Sequence, residues 1–248
     1  MKLFGFILSA LLLTAGTHAA QAEPAAVQLS PDLEVIQLSP DLWVHRSWYS
    51  FPNGVRFYSN GLLARYQGEI WIIDTAWGKD STKVLLDWVQ QQLKLPVHSV
   101  VATHSHADKT GGSAELYQRH IPFFSSAQTR LLTVKENVPL PQSLGRFAVG
   151  QSMSYGPFEL YYPGPGHTVD NLVAYVPAAQ VLVGGCAIKA PRFPGLGYIG
   201  EADLQHWPQA LQSIRQQYGQ ATVVVPGHGE IADLKLIDYS LNLFKVKF

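Results

Sequence analysis

Side chains that can bind a metal ion occur in four separate segments of the sequence, at places where apolar runs predict that β-strands end. The first segment contains the pattern His-x-His-x-Asp, and alternate side chains of an extended segment lie on one side. Imidazole, carboxylate and thiolate groups are the ligands that zinc takes in proteins. A single histidine is usually structural, so the hypothesis of a metal site rests on the whole set. The set is His104, His106, Asp108, His167, Cys186 and His228.

Two of these histidines stand in similar glycine-rich turns, Gly164-Pro-Gly-His167 and Val225-Pro-Gly-His228. Glycine allows the backbone to turn tightly, so the imidazole can project inward from the turn. Loops at the ends of strands tend to hold functional groups because a rigid sheet positions them. The repeated pattern therefore favours a functional role for both histidines.

The elements predicted around these segments alternate between strands and helices. Residues 31–75 predict an antiparallel meander of short strands, with a turn at Pro52-Asn53-Gly54. An amphipathic helix is predicted from residue 80 to Pro96, and the β-branched run 97–102 leads directly into the first histidine pattern. Later predictions include a strand over 171–176 and helices over 204–218 and 231–244. This alternation predicts one α/β domain in which helices cover a sheet.

Composition excludes several classes of protein. The 248 residues are 47% hydrophobic, and 18 basic residues balance 18 acidic ones. Such a chain is not intrinsically disordered, because disordered chains are poor in apolar residues and rich in net charge. It also lacks the basic surface that nucleic-acid binding requires. We therefore expect a globular domain without a nucleic-acid partner.

The first 22 residues predict a secretory signal peptide. Lys2 gives a positive start, the apolar run 3–13 is too short to span a bilayer, and small residues near Ala19 and Ala22 fit a cleavage site. The alternatives are an N-terminal helix or a membrane anchor. We predict cleavage after a leader of residues 1–22, a single domain over 23–248, and export to the periplasm as a monomer without a membrane anchor.

Cys186 is the only cysteine, so the chain cannot form an internal disulfide. Disulfides are common in exported proteins, and a lone cysteine there needs an explanation. The residue types leave four possibilities open, which are an intermolecular bridge, a buried inert thiol, a nucleophile and a metal ligand.

The motifs, taken in order, resemble the metallo-β-lactamase superfamily. They are Thr103-His-Ser-His-Ala-Asp108, Gly166-His-Thr168, Gly185-Cys186 and Gly227-His228. Most hydrolases of that superfamily carry a histidine after the aspartate and a bridging aspartate later, but here Lys109 and Cys186 stand at those positions. This pair is similar to subclass B1 metallo-β-lactamases, which are exported bacterial enzymes. The resemblance implies an αββα sandwich, with two mixed β-sheets packed face to face and helices on the outer faces.

The resemblance also implies two zinc ions per chain. His104, His106 and His167 are expected to hold the first ion, and Asp108, Cys186 and His228 the second. Three protein ligands at each ion leave a position for water or substrate, which distinguishes a catalytic zinc from a structural one. The implied activity is hydrolysis of the amide bond of β-lactam antibiotics by a metal-bound hydroxide, with antibiotic resistance as its consequence. Asp108 is expected to act in catalysis by orienting that hydroxide.

Five further residues are expected to bind the substrate. In the family, a lysine at the position of Lys189 binds the substrate carboxylate, and the alternative for this chain is a solvated lysine. Tyr198 stands where many members have asparagine, so it either donates a hydrogen bond or only lines the pocket. The others lie in or near the flap that the family places over the substrate, with core packing as the alternative, and they are Trp48, Phe51 and Trp77.

Two other functions are consistent with the same residues. One is a different metallohydrolase of this fold, acting on a thioester, a lactone or a phosphoester, because a fold does not determine a substrate. The other is an exported zinc-binding protein without catalytic activity. Lys189 and the aromatic hairpin argue against simple zinc storage, which requires neither.

Overall fold

The computed structural model describes residues 26–245, which form two β-sheets and six α-helices. The predicted signal peptide lies outside the described residues. The strands are β1 Ala26–Ser30, β2 Leu33–Ser39, β3 Leu42–Ser50, β4 Arg56–Tyr66, β5 Glu69–Ile73, β6 Val97–Val101, β7 Phe123–Ser125, β8 Gln142–Ser143, β9 Ser152–Tyr155, β10 Phe158–Tyr161, β11 Val173–Val176, β12 Val181–Gly185 and β13 Val223–Pro226. The helices are α1 Lys79–Trp88, α2 Ala107–Thr110, α3 Ser113–Gln118, α4 Ala127–Leu132, α5 Trp207–Gln217 and α6 Lys235–Leu243.

The first sheet has eight strands in sequential order, β1 to β8. Strands β1 to β5 pair antiparallel, which confirms the predicted meander. Strands β5 to β8 pair in parallel, and α1 forms the crossover between β5 and β6. Strands β3 and β4 form a long hairpin whose tip is the turn around Gly54, where a φ of 82° suits glycine. The hairpin therefore projects beyond the rest of the sheet.

The second sheet has five strands in the order β13-β12-β11-β10-β9. Only β12 and β13 pair in parallel, and α5 lies on the connection between them. Both sheets are mixed, because each combines antiparallel pairs with parallel ones. The carboxyl ends of β12 and β13 consequently lie side by side, and so do the loops that follow them.

Three clusters of buried apolar side chains stabilise this arrangement. One lies between the sheets and joins residues such as Leu62 and Ile73 of the first sheet to Leu160 and Val183 of the second. The other two pack helices onto the outer faces of the two sheets, α1 and α3 on the first and α5 and α6 on the second. This is the predicted αββα sandwich.

Several predicted boundaries were wrong. The helix predicted from residue 80 to Pro96 is α-helical only over Lys79–Trp88 and continues as a π-helical segment to Leu93, where the left-handed backbone of Lys94 (φ 54°) ends it. Three other boundaries differ by a few residues, and each has a local cause. Helix α5 begins at Trp207 rather than at residue 204, with Pro208 in its first turn, where proline needs no hydrogen bond. Helix α6 begins at Lys235 rather than at 231, because the backbone of Ala232 pairs with that of β13. Strand β11 begins at Val173 rather than at 171, because the Asn171 side chain holds the preceding turn by hydrogen bonds to Thr168 N and Gly164 O.

Among residues 26–245, no helix combines the length and the apolar character needed to cross a membrane.

Candidate metal centre and active site

The six predicted metal-binding side chains come from four loops at one edge of the two sheets. His104 and His106 follow β6, and Asp108 lies in the short helix α2 directly after them. His167 lies between β10 and β11, Cys186 follows β12, and His228 follows β13. The ends of neighbouring parallel strands lie at the same edge of a sheet, so the fold brings these loops together.

Three imidazoles converge in the first half of the cluster. His106 Nδ1 lies 3.2 Å from His104 Nε2 and 3.3 Å from His167 Nε2. Burial lowers the pKa of His104 and of His167 well below the usual value, so both rings are neutral at neutral pH. Neutral rings carry a lone pair on one nitrogen, and these lone pairs are what a metal ion accepts.

Cys186, His228 and Asp108 form the second half of the cluster. Cys186 Sγ lies 3.2 Å from His228 Nε2 and 3.5 Å from Asp108 Oδ2, and His228 Nε2 also lies 3.5 Å from that oxygen. Burial lowers the pKa of His228 to about 4 and raises the pKa of the Cys186 thiol. A cation at this position reverses the preference of the thiol, because a coordinating thiol is deprotonated.

The donor set fits a metal ion. Three overlapping groups of three residues have ligand atoms that all lie within 4.8 Å of one another, and together these groups contain all six predicted ligands. The two halves are joined by His104, whose Nε2 lies 3.9 Å from Asp108 Oδ1. Nitrogen, sulfur and carboxylate donors at this spacing are typical of zinc rather than of magnesium or calcium, which prefer oxygen ligands alone.

The loop after β13 also fixes the orientation of its histidine. His228 Nδ1 lies 2.6 Å from the backbone oxygen of Tyr58, to which it donates a hydrogen bond. Its Nε2 is then the unprotonated nitrogen, and it points toward Cys186 and Asp108. A partner of this kind on the outer nitrogen is a regular feature of metal-binding histidines.

Lys109 is fully buried beneath the cluster and compensates its negative charge. Its ammonium group lies 3.3 Å from Asp108 Oδ2 and 3.5 Å from Asp74 Oδ2, and it donates hydrogen bonds to Ser59 Oγ and Asn60 O. Burial alone would lower the pKa of Lys109, but Asp108, Cys186 and Asp74 together outweigh burial, raise the pKa and keep the lysine charged. Burial alone would raise the pKa of Asp108, but Lys109 and the neighbouring histidines together keep it well below its usual value. Asp108 is therefore ionised and available to a cation.

A cavity of about 610 Å³ opens onto this cluster. His106, Asp108, His167 and His228 form its floor. Its lining includes four of the five residues expected to bind substrate, which are Phe51, Trp77, Lys189 and Tyr198.

One wall of the cavity is aromatic. The Trp77 ring lies 5.9 Å from that of Phe51 and stacks on Tyr49 at 5.1 Å, while Phe57 contacts Phe193 at 4.9 Å. This wall extends from the tip of the β3–β4 hairpin to the loop after Cys186, and Phe51 is exposed. Among residues 26–245, the side chains that line this cavity do not include Trp48. Its ring instead packs 5.5 Å from Tyr58 and lies under the Arg56 guanidinium.

Lys189 is not a solvated lysine, because only 8% of it is exposed. Its ammonium group lies 5.1 Å from the centre of the Trp207 ring, and its pKa is lowered chiefly by burial. Tyr198 also lines the cavity, with its ring 5.8 Å from the His106 ring, and it is largely exposed. A buried cation and an exposed phenol thus face the same cavity.

Sequence reasoning missed several cavity residues. Phe57 and Phe193 gave no signal beyond their apolar character, and Lys135 and Glu201 gave none beyond their charge. Glu201 lies 3.0 Å from His106 Nε2 although the two are 95 positions apart in the chain. Such contacts depend on how loops meet in the folded protein, which no spacing along the sequence reveals.

Comparisons with known proteins identify the family. A family model described as the metallo-beta-lactamase superfamily matches residues 54–122. The metallo-beta-lactamase type 2 of Bacillus cereus is 34% identical over 215 residues, covering 86% of this chain and 83% of the relative. This chain belongs to the metallo-β-lactamase family.

Solved structures of the family support this assignment. TMB-1 is 37% identical with a TM-score of 0.80, and the match covers 87% of this chain and 98% of TMB-1. The structure of FIM-1 from Pseudomonas aeruginosa, described as its mono-zinc form, is 29% identical with a TM-score of 0.80, covering 91% of this chain and 98% of FIM-1. Both are subclass B1 metallo-β-lactamases, so the resemblance to that subclass drawn from Lys109 and Cys186 is confirmed.

Proposed function

We propose that this β-lactam hydrolase works with two zinc ions and opens the amide bond of penicillins, cephalosporins and carbapenems. The observation that carries the proposal is the convergence of six donor side chains of the types that zinc prefers, four of which form the floor of one cavity. His104, His106 and His167 would hold the first ion, and Asp108, Cys186 and His228 the second. The description of FIM-1 as a mono-zinc form supports zinc as the metal of the family. When bound, zinc supplies a Lewis acid and a water ligand that is acidic enough to lose its proton near neutral pH.

The residues of the chain bind and orient the substrate. The buried ammonium group of Lys189 offers a charged donor to the carboxylate that β-lactams carry, and its low exposure strengthens that interaction. Trp77 and Phe51 form an apolar wall that excludes water from one side of the cavity. This wall contacts the substrate without requiring hydrogen bonds from it. Asp108, kept ionised by Lys109, can accept a proton or a hydrogen bond at Oδ1 or Oδ2. Cys186 supplies a ligand rather than a nucleophile.

An assay with and without metal tests this proposal. The mature protein is freed of metal with a chelator and then assayed with nitrocefin and imipenem while zinc is added back. We expect no hydrolysis without metal and recovery that saturates near two equivalents of zinc, with magnesium as an ineffective control. Full activity in a metal-free preparation would refute zinc catalysis.

A substrate panel separates the proposal from its alternatives. Turnover of a thioester, a lactone or a phosphoester, with none of any lactam, would indicate a different metallohydrolase. Tight zinc binding without hydrolysis of any panel member would indicate a zinc-binding protein.

We also propose that residues 1–22 are a cleaved leader and that the domain over 23–248 acts in the periplasm. The observation behind this is the positive, apolar and small-residue order of the first 22 residues. Expression of the full chain in a bacterium, followed by mass spectrometry of the periplasmic fraction, should give a mature chain that begins near residue 23. The same cells should tolerate more β-lactam than cells expressing a Cys186→Ser variant. An uncleaved chain in the cytosol would contradict the export proposal without affecting the proposed reaction.

A further inference from the structure

Both ring nitrogens of His106 have partners. Nδ1 faces His104 and His167 within the donor cluster. Nε2 lies 3.0 Å from Glu201 Oε2, on the outer side of the ring. An ionised carboxylate only accepts hydrogen bonds, so Nε2 must carry the proton in this contact. In a neutral ring, Nδ1 is then the nitrogen with the free lone pair, and it is the nitrogen that points into the cluster.

Glu201 also has an ionic partner on a different segment of the chain. Lys135 forms an ion pair with the same carboxylate oxygen that His106 contacts. Lys135 belongs to the short helical turn Thr133–Glu136 that follows α4, whereas Glu201 lies in the loop between β12 and α5. The three residues therefore form a chain, Lys135 to Glu201 to His106, that joins two separate segments to the metal centre.

We propose that Glu201, supported by Lys135, is a positioning residue that selects the tautomer of His106 and so prepares Nδ1 to bind the first zinc ion. The inference rests on the proposed function, because it assumes that His106 is a metal ligand. A free neutral imidazole exchanges between two tautomers, and only the one with its proton on Nε2 can bind metal through Nδ1. The carboxylate also increases the basicity of the ring. Because Glu201 shares its loop with Tyr198, the same contact ties the substrate side of the cavity to the metal side.

An ordinary surface ion pair is the competing explanation. Glu201 and Lys135 are each more than a third exposed, and exposed pairs contribute little to stability. A merely structural pair would leave the tautomer of His106 and the zinc affinity unchanged. The tautomer is therefore the decisive measurement.

The test uses two replacements of Glu201 in the mature protein. Glu201→Leu removes the acceptor, whereas Glu201→Gln removes the charge but keeps an oxygen that can accept the proton of Nε2. Nitrogen-15 NMR of the metal-free imidazoles reports which nitrogen of His106 is protonated, and competition with a chromophoric chelator reports zinc affinity. We expect Nε2 to stay protonated in the parent and in Glu201→Gln. In Glu201→Leu we expect a mixture of tautomers and a first zinc ion bound about 10- to 100-fold more weakly.

Glu136→Leu is the matched control, because it removes the same charge from the residue next to Lys135. Its zinc affinity and the His106 tautomer should match those of the parent. The absorption of a Cys186 thiolate bound to cobalt, which reports the second ion, should survive in Glu201→Leu. If Glu201→Leu keeps both the tautomer and the affinity of the parent, the inference is wrong and the proposed function stands. If the parent protein itself binds no zinc, both fail.

Discussion

The Lys109 ammonium group lies 3.3 Å from the carboxylate of Asp108, and neither side chain is more than 6% exposed. A buried charge is stable only with a partner, since desolvation of an ion costs several kcal/mol. Lys109 compensates two carboxylates at once, Asp108 and Asp74. The lysine is therefore a structural support of the proposed second metal site and does not itself need to contact metal or substrate.

Removing this ammonium group should destabilise the fold strongly. In Lys109→Met, two buried carboxylates lose their cation, and we expect the free energy of unfolding of the metal-free protein to fall by about 3–5 kcal/mol. Urea denaturation followed by tryptophan fluorescence measures the difference. Lys83→Met is the control, because Lys83 pairs with Asp87 in an exposed i,i+4 contact and its loss should cost about 0.5 kcal/mol or less. Equal effects of the two substitutions would show that Lys109 has no special role.

The positions of the six candidate ligands could be predicted from the sequence because each depends on local information. His104, His106 and Asp108 follow a β-branched run that predicts a strand. The turns before His167 and His228 contain glycine, which predicts a tight turn at each. Strand ends are also where a sheet places side chains that act together. Chain order and residue type were therefore enough to select six residues that converge in the structure, while their division between two zinc ions is implied by the resemblance and stays a prediction.

The surroundings of the ligands could not be predicted, because they depend on contacts between distant loops. The contact of Glu201 with His106 and the packing of Phe193 against Phe57 arise only when the loop after β12 folds over the cavity. Trp48 and Phe51 looked alike in the sequence, but the register of the β3–β4 hairpin places Phe51 at its tip and pairs Trp48 with Tyr58. Their different positions follow from pairing register, which composition does not encode.

Replacing the thiol should affect the second ion selectively. In Cys186→Ser, a hard and weakly acidic hydroxyl takes the place of the thiolate that zinc prefers. We expect zinc stoichiometry to fall from two toward one and kcat/KM for imipenem to fall by more than about 10-fold, since even partners outside the ligand set cost 10- to 100-fold. The cobalt-substituted variant should also lose its thiolate absorption band. Unchanged stoichiometry and rate would exclude Cys186 as a ligand.

Replacing Lys189 should raise KM for substrates that carry a carboxylate and leave KM nearly unchanged for those without one. Loss of a hydrogen bond to a charged group costs about 1.5–3 kcal/mol, which corresponds to a rise in KM of roughly 10- to 100-fold for Lys189→Ala with benzylpenicillin. The methyl ester of the same penicillin serves as the control, and its KM should change little. If both substrates are affected equally, Lys189 supports the pocket through its packing on Trp207 instead of binding the carboxylate.

His45 should make the fold sensitive to acid independently of the metal site. The ring is buried, Nε2 donates to the backbone oxygen of Asp74 at 3.1 Å, and burial together with the charge of Lys109 lowers its pKa to about 4. In the unfolded chain its pKa is near 6.5, so between pH 6.5 and 4 the unfolded state binds more protons and stability falls as the pH falls. The full loss is about 3 kcal/mol.

A variant without this titrating ring should lose that part of the pH dependence. His45→Gln keeps a hydrogen-bond donor for the Asp74 backbone oxygen but cannot be protonated in this range. Urea unfolding of both metal-free proteins at several pH values from 7 to 4.5 gives the free energy of unfolding of each. In the difference between the two, the contributions of the other histidines cancel, because both proteins contain them. We expect the variant to be less stable than the parent at pH 7 and the difference to shrink as the pH falls. Parallel stability curves would mean that His45 does not titrate differently in the folded and unfolded states.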